Sequence, residues 1–165
     1  MLVKSVFPSA QVLLSDLDSA ALSLAAENSE IHAVDGIVQG DLLSWCSSSC
    51  VDIIIANPPY VDADDIQGLP AEYCHEPGLA LAGGEDGLDL VRILLTDAAR
   101  ILRPTGLLIL EVGNSFEALD DLSEQLHPIW VELQQGGHGV AVFMAQDLAQ
   151  CVVSEDTTNS VVSAK

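Results

Sequence analysis

The residues best placed to do chemistry are Asn57-Pro58-Pro59-Tyr60, which follow directly on the apolar run Val51-Asp52-Ile53-Ile54-Ile55-Ala56. A run of five or six residues rich in β-branched side chains reads as a buried strand. Two consecutive prolines cannot continue a strand, so the chain stops and turns there. The turn delivers an amide (Asn57), a carbonyl without a ladder partner (Pro58) and an aromatic ring (Tyr60) to the carboxyl end of a strand, which is where open α/β sheets bind ligands. An amide oxygen and a backbone carbonyl are both acceptors, the groups that suit a neutral –NH2.

Two acids stand at comparable points. Asp16-Leu17 ends the apolar stretch 11–15, and Asp41-Leu42 follows the weak strand 36–40. Asp18 or Ser19 is a candidate N-cap for a helix over 20–27. Four cysteines (Cys46, Cys50, Cys74, Cys151) show no CxxC spacing and the four histidines do not cluster with them, which argues against zinc. Cys74-His75 are adjacent, but sequence neighbours rarely hold nucleophile-base geometry. Gly83-Gly84-Glu85-Asp86-Gly87 imitates a phosphate loop, yet no strand precedes it.

The elements that must position these groups alternate. After the loop from Asn57 to about Gly87, the spacing of Leu88, Val91, Leu94, Leu95, Ala98 and Leu102 predicts a helix. Pro104-Thr105-Gly106 reads as a turn, residues 107–112 as a second buried strand, and 115–126 as a helix capped by Asn114 or Ser115. Residues 129–133 and 140–144 read as a closing hairpin around Gly136-Gly137. Alternation of this kind predicts an α/β fold with a largely parallel, doubly wound sheet and an antiparallel end. Residues 1–150 form the domain, and the polar tail 151–165 reads as disordered.

The chain has 165 residues, 49% of them apolar, which suffices for a core. Its net charge is −20, from 25 acidic against 5 basic residues. That balance argues against a nucleic-acid backbone as partner and favours a small molecule or a basic protein, although acidity also serves solubility. No run approaches membrane-spanning length and Pro8 interrupts any signal-like start, so a reduced, cytoplasmic protein without a membrane partner is expected.

From about Phe7 to about Leu148 the chain resembles the protein-glutamine methyltransferases of the HemK, PrmC and PrmB type, the PrmB type most closely. The resemblance is carried by Asn57-Pro58-Pro59-Tyr60-Val61-Asp62, Leu69-Pro70-Ala71-Glu72-Tyr73, His75-Glu76-Pro77 and Gly83-Gly84-Glu85-Asp86-Gly87-Leu88. Glu111-Val112-Gly113-Asn114-Ser115 and Gly136-Gly137-His138-Gly139-Val140 extend it. It implies a class I, Rossmann-like methyltransferase sheet, S-adenosyl-L-methionine as cofactor, and transfer of its methyl group to a glutamine side-chain nitrogen on a ribosomal protein, the third of the large subunit.

By the same resemblance, Asp16 meets the ribose hydroxyls, with helix capping as its alternative role, and Leu17 lies beside it. Asp41 meets the adenine amino group, with Leu42 alongside; an exposed loop aspartate is the plain alternative. Asn57, Pro58, Pro59 and Tyr60 form the catalytic turn, with Asn57 also near the cofactor. Glu76 lies in the loop that covers the substrate, with a solvated acid as its alternative. Family members carry a first strand and a Gly-rich turn ahead of the Asp16 region, and here both are missing. Two open strand edges, weak activity of the chain by itself and poor solubility are the expectations that follow. Competing functions are an amino-methyltransferase acting on a flipped base and a non-catalytic, partner-binding remnant.

Overall fold

The computed structural model describes residues 2–32, 34–59, 87–122, 126–133 and 138–150. They fall into two units, Met1–Cys46 and Ser47–Lys165.

The first unit contains α1 (Leu2–Val6), β1 (Leu13–Asp16), α2 (Ser19–His32) and β2 (Gly36–Gln39). β1 and β2 pair in parallel, Leu13 with Gly36 through to Asp16 with Gln39. The strand runs from Leu13 to Asp16 rather than over residues 11–15, because Val12 is engaged elsewhere. Its N–H donates to Asp35 Oδ2 (2.7 Å) and its carbonyl accepts from the Asp35 N–H (2.9 Å). Lys4 Nζ closes this clasp, 2.8 Å from Asp35 Oδ2, and donates to the Ala10 carbonyl at 2.6 Å. Among the described residues, Cys46 is the only buried apolar side chain of this unit, while Leu13, Leu17, Leu24 and Ile31 are exposed.

The clasp has a pH signature. The hydrogen bond from Lys4, then the Val12 N–H, hold the Asp35 carboxyl below its ordinary value of 3.8. A depressed folded-state pKa contributes stability that is present above the unfolded value and disappears as pH falls through the folded one. The Asp35 carboxyl carbon should therefore titrate by NMR with a midpoint below 3.8, returning toward that value in Lys4→Ala. An unchanged midpoint in the variant would remove the clasp from the account.

The second unit contains β3 (Val51–Ala56), α3 (Asp89–Ile101), β4 (Leu102–Glu111), α4 (Phe116–Leu122), β5 (Ile129–Trp130) and β6 (Val140–Met144). The strand order is β3-β4-β6-β5, with β3 and β4 parallel and the other pairings antiparallel. This is the parallel sheet with an antiparallel end that the alternation of elements predicts. α3 packs on β4, and its expected stripe is buried: Val91, Leu94, Leu95 and Ala98, flanked by Leu88 and Leu102 and joined by Ile101. On one sheet face Ile54, Leu108 and Phe143 form a buried row, with Leu110 and Ala141 in the next.

The opposite face is far less covered. Ile53 is 50% exposed and Ile55 60%, with Ile129 at 58%. Among the described residues β1 pairs only with β2 and β3 only with β4.

In this unit three boundaries differ from expectation. Pro104-Thr105-Gly106 is not a turn ahead of a strand starting at Leu107; β4 begins at Leu102 and absorbs these residues. Val51 pairs with Leu102 and Ile53 with Leu107, so residues 103–106 bulge opposite Asp52. Arg103 Nη1 donates to Asp52 Oδ2 (2.6 Å) across the bulge, and a Cβ on Gly106 would lie 2.9 Å from the Asp52 carbonyl.

The helix expected over 115–126 opens instead as a 3-10 turn, Gly113–Ser115, with Val112 at its N-cap and α4 starting at Phe116. Asn114 is drawn to His138, its Oδ1 lying 3.2 Å from His138 Nε2. β5 is limited to Ile129–Trp130, after which a single bond from the Val131 N–H to the Val140 carbonyl continues the pairing. The Gly136-Gly137 turn and the tail 151–165 lie outside the described residues.

Gly139 explains the 3-10 entry. At φ +78° it packs on Gly113, so that a Cβ there would run into the Gly113 backbone, and its carbonyl accepts from the Val112 N–H (2.8 Å). Left-handed backbone costs a non-glycine residue about 1–2 kcal/mol, and overpacking against backbone about 1–3 kcal/mol. Gly139→Ala should lower the urea midpoint accordingly. A midpoint equal to that of the parent chain would contradict this packing.

Candidate functional site

Both units place their candidate residues at the carboxyl ends of parallel strands. In the first, Asp16 closes β1 and is exposed. Its Oδ1 accepts the Asp18 N–H at 2.8 Å, while Asp18 Oδ1 accepts the Ala20 N–H at 2.9 Å and thereby caps α2. The competing role for Asp16 thus belongs to Asp18, and a second carboxylate oxygen of Asp16 remains to face outward. The Gly40 N–H donates to the Asp16 carbonyl (3.1 Å), tying the end of β1 to the turn after β2.

Asp41 begins that turn with an exposed side chain, and its carbonyl accepts from the Ser44 N–H and Oγ. Leu42 is held at φ +45°, a conformation uncommon outside glycine. Its carbonyl accepts from Trp45 Nε1 at 3.1 Å. Leu17 is 53% exposed. Two outward carboxylates and two leucines at one end of a parallel pair are a donor set suited to a nucleoside: acceptors for hydroxyls and an amino group, and apolar surface for a flat ring.

In the second unit β3 ends at Ala56, and Asn57-Pro58-Pro59 follow without regular structure. Pro58 is buried and Pro59 half-buried, whereas Asn57 is exposed. A buried proline with fixed φ anchors the turn and leaves the preceding amide at the surface. Tyr60 and Glu76 lie outside the described residues.

The structure brings further groups to this end of the sheet. Glu111 closes β4 beside the turn and is exposed. Asn114 and His138 meet above it, and the Phe116 ring stands edge-on to both His138 (5.5 Å) and Trp130 (6.2 Å). Trp130 Nε1 donates to Asp120 Oδ1 at 2.8 Å. Sequence reading gave Asn114 only a capping role and Glu111 and His138 no site role of their own; the available signal for Glu111 was a polar residue immediately after the apolar run 107–110. Among the described residues no group of three His, Cys, Asp or Glu side chains is placed to hold a metal, and no helix is long and apolar enough to cross a membrane.

The family model described as methyltransferase small domain matches residues 1–71. The ribosomal protein uL3 glutamine methyltransferase of Bordetella pertussis is 37% identical over 151 residues, spanning 90% of this chain and 51% of the relative. The same-named protein of Bradyrhizobium diazoefficiens is 41% identical over 145 residues, spanning 86% and 46%. The chain thus spans about half the length of the curated relatives it matches.

Among solved structures, the PH0226 protein of Pyrococcus horikoshii aligns with a TM-score of 0.47 at 16% identity, over 91% of this chain and 65% of that one. A TehB-like SAM-dependent methyltransferase of Corynebacterium glutamicum aligns at 0.45 and 21%, over 81% and 67%.

Proposed function

We propose, on the premise that this chain is homologous over up to nine tenths of its length to ribosomal protein uL3 glutamine methyltransferases, that it takes part in methylating a glutamine side-chain amide of a basic ribosomal protein, uL3. The observation that carries the reading is an exposed Asn57 on a buried Pro58 at the carboxyl end of β3. S-adenosyl-L-methionine supplies the electrophilic methyl group. In the first unit, Asp16 accepts hydrogen bonds from ribose hydroxyls and Asp41 from an adenine amino group, with Leu17 and Leu42 as apolar neighbours.

An amide nitrogen is a poor nucleophile because its lone pair is shared with the carbonyl. In the second unit, the Asn57 side-chain oxygen and the Pro58 carbonyl accept the two amide hydrogens. That arrangement fixes the direction of the nitrogen, an effect of positioning above all. The same two acceptors stabilise positive charge that grows on nitrogen in the transition state. Tyr60 walls the amide from water, and Glu76 belongs to the segment that covers the acceptor. Residues 1–150 carry this machinery, and the setting is cytoplasmic, where ribosomal proteins are made.

Calorimetry of the purified chain with S-adenosylmethionine is the first test, followed by mass spectrometry for methylglutamine in uL3 incubated with both. Cofactor binding and a modified glutamine support the reading. A folded chain that binds cofactor and methylates nucleic acid instead would replace it.

A further inference from the structure

The strand ladder sets one more chemically capable group beside Asn57. Ala56 pairs with Leu110 in parallel, Glu111 closes β4 one residue further on and Asn57 is the first residue after β3, so the two stand at neighbouring strand ends, where strands lie about 4.8 Å apart. Side chains alternate along a strand. Ile55 and Ile109, a register pair on the less covered face, lie two residues before Asn57 and Glu111. By that alternation the Glu111 carboxylate lies on the face of Ile109, whose register partner Ile55 is 60% exposed, and the exposed Asn57 stands at the adjacent strand end.

Glu111 is itself exposed. The four described basic side chains are each engaged by an aspartate: Lys4 by Asp35, Arg92 by Asp89, Arg100 by Asp97 and Arg103 by Asp52. None of them engages Glu111.

We propose that Glu111 is a specificity residue: it holds a lysine or arginine next to the target glutamine while Asn57 holds the amide. This rests on the reading of Asn57 given above. A carboxylate beside an amide-orienting group, in a chain of net charge −20, is complementary to a cationic acceptor segment. Because Glu111 faces water, its contribution is modest and screened by salt. It acts on affinity for the acceptor and leaves the chemical step alone.

The test is fluorescence anisotropy with labelled peptides of equal length and one glutamine each. In one peptide lysine flanks the glutamine; in the other norleucine does. The full chain should prefer the lysine peptide by about 2- to 5-fold at low salt, the range of an exposed ion pair. Glu111→Gln should bring the two peptides to parity. Glu27→Gln removes an equal charge from an exposed position on α2 and should keep the preference.

A preference that survives Glu111→Gln, or one that Glu27→Gln erases equally, overturns the proposal, as does failure of both peptides to bind. A third peptide with methionine in place of glutamine tests the underlying reading separately. If it binds the full chain as well as its glutamine counterpart, the Asn57 assignment fails whatever Glu111 does.

Discussion

Asn57→Ala is expected to cut glutamine methylation by about 100- to 1000-fold, the range seen when one preorganised hydrogen-bonding group is removed from around a developing charge. The loss arises in the chemical step, since an amide held only by the Pro58 carbonyl is free to swing away from the line of transfer. The buried Pro58 keeps the turn in place when the exposed side chain before it is shortened, so circular dichroism and thermal midpoint should match the parent chain. Asn57→Asp retains acceptor oxygens and should retain more activity than alanine. Methylglutamine quantified by mass spectrometry decides the point. Equal rates for Asn57→Ala and the parent chain would remove Asn57 from the chemistry.

The second large effect is structural. Phe143 is fully buried on β6 and pairs with Leu108, also fully buried. Replacing a core phenylalanine with alanine costs about 3–5 kcal/mol from lost transfer energy plus the residual cavity. Against a domain stability of about 5–15 kcal/mol that is a large share. Phe143→Ala should therefore lower the urea midpoint of the second unit markedly with little change in slope, while Phe143→Leu loses less. By contrast, Ile53→Ala and Ile55→Ala, both at least half exposed on the other sheet face, should change the midpoint little. A similar response at all three positions would contradict the one-sided burial of this sheet.

That one-sidedness bears on function. A six-residue strand of Val, Asp, Ile, Ile, Ile and Ala has the composition of a strand covered on both faces. Among the described residues it sits at a sheet edge with only Asp52 as a charge, clipped to Arg103. Open, apolar edges of this kind invite pairing with other chains.

The sequence by itself determined the kind and order of most elements, though not the short α1, and where β3 must end. Apolar period and proline placement are local signals: the stripe Val91, Leu94, Leu95 and Ala98 marks a helix face, and Pro58-Pro59 end β3. It also determined that Asp16 stands at the end of one strand and Asp41 just after another. What it left open was which acid caps α2, and the tertiary structure decided that, because a cap depends on which carboxylate reaches the Ala20 N–H.

Only the folded chain decided three further things. The Pro104-Thr105-Gly106 segment became a bulge because Asp52 on the neighbouring strand binds Arg103 across it. The expected helix start at Asn114 gave way to a 3-10 turn where Gly139 presses on Gly113, a contact between residues far apart in the chain. Glu111 came to close β4 next to the end of β3 because Ala56 pairs with Leu110 across the sheet. Periodicity and turn chemistry are properties of neighbours in sequence and can be read there, whereas register, close backbone approach and long-range ion pairs exist only once distant segments have met.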